Sequence, residues 1–162
     1  IHALVLCRNA ASEDVLTFNI KSDGEKDLNE PVYELGDDLH IRAFLLTYGL
    51  NLGKYLISQG AEINSRDIRG KMPLHDAVID NNIEISKYLI INGAAVNAKD
   101  GDGKASLHYA TINENLELIK SLVSSGANVN KKDKFNRIPL HYAADKGYLE
   151  IAKHLISLPH WL

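Results

Sequence analysis

The sequence predicts an all-α solenoid of stacked helix pairs. Three observations predict it. A phrase returns at a fixed step of 33 residues: Pro73-Leu74-His75, Ser106-Leu107-His108 and Pro139-Leu140-His141. A second phrase keeps the same step: Gly60-Ala61-Glu62-Ile63-Asn64, Gly93-Ala94-Ala95-Val96-Asn97 and Gly126-Ala127-Asn128-Val129-Asn130. Between them run apolar residues at helical spacing. A chain that repeats at such a period builds one small unit per repeat, and each unit buries its apolar face only against its neighbours.

Ile1 to Asn9 reads as a first helix entered partway, with Val15 to Ile20 as its partner helix; a plain N-terminal capping pair is the other reading of residues 1–38. Residues 21–38 hold Asp23-Gly24, Pro31 and Gly36 with seven acids, and predict a long acidic loop. Leu39 to Thr47 and Leu50 to Gln59 predict the two helices of a degenerate repeat, 39–66. Atypical end units are expected where a solenoid meets water.

Three regular units follow at 67–99, 100–132 and 133–158, the last continued by a cap to 162. Asp67, Asp100 and Asp133 each open a tight turn, because a short carboxylate bonds nearby backbone N–H groups. Gly70 and Gly103 suit a turn position with positive φ, and Asn136 tolerates it. Pro73 and Pro139 suit a first helical turn, where no N–H is missed. Leu74/Ala77, Leu107/Ala110 and Leu140/Ala143 share one helical face. The second helices repeat Ile83, Ile85, Leu89 and Ile90 as Leu116, Leu118, Leu122 and Val123, then as Leu149, Ile151, Leu155 and Ile156. Gly93 and Gly126 end their helices. Pro159 stops the last one, and Trp161 either caps the final core or marks a longer array.

These residues resemble the ankyrin repeat family, strongly over 60–158, moderately over 39–59 and poorly over 1–38. The departures are Met72, Ala105 and Ile138 where the family has Thr, and Asn81 and Glu114 where it has Gly. Losing the Thr hydroxyls predicts looser turns. The resemblance implies a right-handed stack of helix pairs with β-hairpin loops projecting to one side. It also implies protein binding on the concave face, by loop tips and the exposed side of the first helices. Carried over by position, the tips are Ile68, Arg69 and Lys71, then Gly101, Asp102 and Lys104, then Lys134, Phe135 and Arg137. The helix positions are Asp76, Ile79 and Asp80, then Tyr109, Ile112 and Asn113, then Tyr142, Asp145 and Lys146. Exposed aromatics in such a cluster are favoured hot spots.

Charge divides unevenly. Residues 1–38 carry nine acids and three bases, a net of −6, whereas 39–162 carry 12 acids and 15 bases, a net of +3. Neither value is extreme enough to imply nucleic acid binding. No apolar run approaches the roughly 18 residues of a membrane span. Cys7 is the only cysteine, so no internal disulfide forms, which fits an intracellular, cytoplasmic setting; for a secreted effector that would be the host cytoplasm. The first residue, Ile1, fits a piece of a larger protein or a processed chain.

The candidates for chemistry fail on spacing. His75, His108 and His141 recur one per unit, about 10 Å apart at the distance of packed layers, while zinc needs ligands about 2 Å from one ion. They are read as turn-bonding residues. Ala98 to Gly103 resembles a calcium loop, but Ala98 and Tyr109 stand where Asp and Glu are required. Gly103-Lys104 lacks the remaining P-loop residues, and no Gly-x-Ser-x-Gly elbow occurs. Cys7 is read as a small buried hydrophobe.

The expectation is therefore a monomeric module that binds another protein, without catalysis, cofactor, metal, nucleic acid or membrane insertion. The alternative is a recognition segment of a larger enzyme, channel or effector whose activity lies outside these residues. Lys131, Lys132, Lys134 and Arg137 form a basic patch that would steer an acidic partner. The acidic stretch 21–38 is expected to modulate access to the binding face.

Overall fold

The structure is a computed structural model, and it describes residues 3–8, 15–20, Lys54, Ile57 and 62–158. The chain divides into two compact units, Ile1–Leu39 and His40–Leu162. In the first, β1 (Ala3–Arg8) pairs antiparallel with β2 (Val15–Ile20), Ala3 opposite Ile20 and Arg8 opposite Val15. This corrects the expected helix pair. Apolar runs of six residues are too short for periodicity to separate helix from strand, and Val5, Val15, Thr17, Phe18 and Ile20 are β-branched or aromatic types that favour a pleated ribbon. The acidic stretch 21–38, the helix expected over 39–47, and Trp161 lie outside the described residues. Lys54 and Ile57, from the expected second helix of the degenerate unit, are helical.

Among the described residues the second unit holds three complete helix pairs. They are α1 (Pro73–Ile79) with α2 (Ile83–Ile91), α3 (Ser106–Ile112) with α4 (Leu116–Ser124), and α5 (Pro139–Lys146) with α6 (Leu149–Ile156). Each first helix begins at the Pro or Ser of the recurring phrase. Asn82 and Asn115 cap α2 and α4, their side chains accepting the Ile85 and Leu118 N–H at 3.1 and 2.9 Å. Gly93 and Gly126 follow those helices with φ of 92° and 87°.

α3 packs between α1 and α5, while α2 packs on α4. The shared core contains Leu74, Leu89, Leu107, Leu118, Leu122 and Leu155, all essentially inaccessible to solvent. Burying each such side chain contributes about 1.5–3 kcal/mol. Ala77, Ala110 and Ala143 are buried too, and their small size sets the close approach of the first helices. Leu149 and Ile156 depart from the expected stripe and are exposed.

Polar bonds join each repeat to the next. Asn64 accepts the Ala95 N–H at 2.8 Å and donates to the Gly93 carbonyl at 3.2 Å. Asn97 does the same to Asn128 and Gly126 at 2.7 and 2.8 Å. The histidines close a second set. The Nδ1 atoms of His75 and His108 accept the Met72 and Ala105 N–H at 2.9 and 3.1 Å. That fixes the proton on Nε2, which donates to Ala98 O, late in the same unit, from His75 at 3.0 Å and to Arg137 O of the following unit from His108 at 3.2 Å. His141 makes the local bond to Ile138 at 3.1 Å and is exposed. The expected turn role is present, and the His108 ring also ties its repeat to the next.

Candidate partner-binding face

The loops between units are built around one carboxylate each. Asp67 Oδ1 accepts the Arg69 and Lys71 N–H at 2.9 and 2.7 Å. Asp100 does so for Asp102 and Lys104, both at 2.9 Å, and Asp133 for Phe135 and Arg137 at 2.8 and 2.9 Å. Gly70, Gly103 and Asn136 take φ of 71°, 74° and 60° at the closing position. Adjacent loops are bonded, Gly101 N–H to Arg69 O at 2.8 Å and Lys134 N–H to Asp102 O at 3.0 Å. The tips therefore form a continuous ridge rather than three independent loops.

The first helices are clamped to this ridge by tyrosines. Tyr142 donates to Asp133 Oδ2 at 2.5 Å and accepts from Arg137 Nη2 at 2.7 Å. The Arg137 guanidinium lies 4.3 Å from its ring centre, and the His108 ring meets its edge at 5.9 Å. Tyr109 repeats the pattern one unit earlier. It donates to Asp100 Oδ2, meets the His75 ring edge-on at 6.3 Å, and sits between Lys71 and Lys104 at 5.6 and 5.8 Å. Burial, then the Asp133 bond and charge, push the Tyr142 hydroxyl up to about 12, and burial, then the Asp100 bond and charge, raise Tyr109. Burial would lift the Asp133 carboxyl, but the Tyr142 bond, the two backbone N–H bonds and the Arg137 charge together hold it at about 2.

This geometry corrects four expectations of exposure. Asp76 is 2% exposed, in the first turn of α1, where the helix dipole favours a carboxylate. Tyr142 is 8% exposed and Tyr109 half-buried, because both hydroxyls are used inward. Asn113 is half-buried and donates to Val78 O and Ile79 O, both at 2.9 Å, so it ties α3 to α1.

The other candidates are exposed or half-buried. Ile68 is 85% and Phe135 62% exposed. Arg69, Asp80, Lys134, Asp145 and Lys146 are exposed, while Lys71, Ile79, Asp102, Lys104, Ile112 and Arg137 are half-buried. Lys134 pairs with Asp102, whose carboxyl is held below its usual range first by the Lys134 bond and charge and then by Lys104. Lys134 and Arg137 stack on Phe135 at 5.2 and 5.3 Å. The sequence reading missed the inter-repeat roles of Asn64 and Asn97, although their recurrence at the repeat step was the available signal. Exposed Ile91 on α2 was also missed. Among the described residues no three His, Cys, Asp or Glu side chains group as a metal set, and no helix is long and apolar enough to cross a membrane.

A family model described as ankyrin repeats (3 copies) matches residues 39–133, and one described as ankyrin repeat matches 135–158. The chain belongs to the ankyrin repeat family. None of the curated proteins matches it. Ankyrin repeats are generally protein–protein interaction modules and typically non-catalytic. In this ankyrin protein the recurring Leu residues serve the core and the recurring His residues the turns, with His108 also joining two repeats, and residues that differ between units lie on the loop tips and on the helices.

Proposed function

We propose that this ankyrin module binds a partner protein through the loop ridge and the exposed ends of the first helices. One observation carries the reading. The ridge is locked from beneath by Asp–Tyr and Asp–backbone bonds, yet it presents Phe135 and Ile68 outward on that rigid base. Large apolar side chains held at a preordered surface lose little entropy on binding and make effective anchors. Arg69, Asp102 and Lys134 provide a charged setting around them, and Asp80, Asp145 and Lys146 extend the face along the helix ends. By the same reading the repeats are bounded at 39–66, 67–99, 100–132 and 133–158.

The test compares two sets of variants on any partner captured by the full chain. Arg69→Ala with Phe135→Ala should weaken binding at least about tenfold, since two anchor truncations are worth about 1.4 kcal/mol or more together. Glu84→Ala with Lys120→Ala, exposed on the second helices, should leave it unchanged. The reverse pattern would refute the assignment.

A further inference from the structure

Aligning the three units shows that the cations are periodic. Arg66, Lys99 and Lys132 recur at the repeat step just before each turn aspartate, and Lys71, Lys104 and Arg137 recur just after each tip. Loop segments 65–71, 98–104 and 131–137 together hold nine cations and four carboxylates, a net of +5. The intervening and following helical segments 72–97, 105–130 and 138–158 hold four cations and seven carboxylates, a net of −3. The sign of charge thus separates by structural layer. Three of the four ridge carboxylates, Asp67, Asp100 and Asp133, are occupied in closing their turns. Their negative charge is spread over backbone donors, so they compete weakly for a ligand.

We infer that the ridge receives an extended acidic segment of a partner protein, one carboxylate group per loop, with an apolar residue of that segment seated on Phe135. This rests on the protein-recognition reading above and gives the partner a chemistry. Exposed Arg69, Lys99 and Lys132 supply the charge. The spacing favours a polypeptide over a nucleic acid. Asp102 sits in the middle of the ridge, bonded to Lys134, where it would repel a continuous phosphate backbone. A peptide with discrete carboxylates passes it with a neutral residue. Phe135 adds an apolar anchor between two stacked cations, a setting that suits an aliphatic side chain flanked by acids.

The experiment is fluorescence anisotropy with the full chain and a labelled extended peptide of glutamates spaced by serines with one central leucine. Its comparators are the same peptide with glutamine for glutamate and a single-stranded oligothymidylate of equal length. The glutamate peptide should bind at least tenfold tighter than the glutamine peptide in dilute salt, and that gap should close in concentrated salt, where screening is short-ranged. Arg69→Glu/Lys99→Glu/Lys132→Glu should remove the preference while helical circular dichroism and the melting point stay near wild type. Phe135→Ala should cost about fivefold for the leucine peptide and nothing for its leucine-to-serine version. Equal binding of the glutamine peptide, tighter binding of the oligothymidylate, or indifference to the charge reversal would each overturn the inference. If a captured partner still depends on Arg69→Ala/Phe135→Ala while the charge reversal has no effect, only the acidic preference fails. If neither set matters, the recognition reading fails with it.

Discussion

Position 114 holds a glutamate at φ 55°, where the equivalent position of the last unit holds Gly147 at φ 72°. A left-handed backbone costs a residue with a Cβ about 1–2 kcal/mol, part of which glycine returns through a more disordered unfolded chain. Glu114→Gly should therefore stabilise the fold by about 0.5–1 kcal/mol. The check is thermal denaturation, and a melting point at or below wild type would count against it. Asn81, at φ 58°, should gain less, because Asn tolerates this region. The buried histidines are the second residue-scale lever. Burial lowers His75 and His108 against the opposing pull of their backbone bonds, and accepting an N–H at Nδ1 requires the neutral ring. An unfolded imidazole titrates near pH 6.5, so below that the unfolded chain binds more protons and stability falls with pH. A second loss should follow between about pH 4 and about 2 as Asp133 is protonated, its folded carboxyl being depressed. Melting points measured from pH 7.5 to 3 should show the first fall beginning near 6.5; a flat profile down to pH 5 would contradict it. At this scale the turn residues were legible, since Asp67, Gly70 and Pro73 act through local backbone chemistry. Asp76 and Tyr142 were not, because their burial depends on which neighbouring element covers them.

Among elements, the loops and their Asn bonds carry the coupling between repeats. Asn97→Ala removes two bonds across one repeat boundary and should cost about 1–3 kcal/mol, read from urea midpoints with the slope unchanged. Gly103 is held more tightly still. A Cβ there would stand 2.7 Å from Lys134 N and 3.1 Å from the Asp133 carbonyl carbon, both backbone atoms, on top of its positive φ. Gly103→Ala should cost more than about 1 kcal/mol and loosen the ridge. Helix existence and ends were legible from the period, because Pro73, Pro139, Gly93 and Gly126 mark starts and stops locally. The N-terminal pair was not. ALVLCR and VLTFNI are apolar runs with no helix start or stop signals, and only their pairing with each other decides for strands.

At the level of the whole molecule, the ankyrin array separates what repeats from what varies. The repeating Leu, Ala, His and Asn residues form the core and the boundaries. The residues that vary include the tips, Ile68 and Arg69, Gly101 and Asp102, Lys134 and Phe135, and first-helix positions such as Asp76, Tyr109 and Tyr142. Leu122→Ala, at the centre of the core, should cost about 2–5 kcal/mol without changing which surface binds. The period made the fold legible, because one unit's pattern is confirmed by the next two. The proposed binding face was only half legible, since exposure in a stack depends on packing between units that no single repeat encodes. The central claim is that recognition occurs on the ridge and not on the second helices. It is tested most directly by placing a photo-crosslinking amino acid in the full chain at Phe135, at Arg69, or at Lys120. The account predicts partner adducts from the first two positions and none from the third, whereas adducts from position 120 with both ridge positions silent would contradict it.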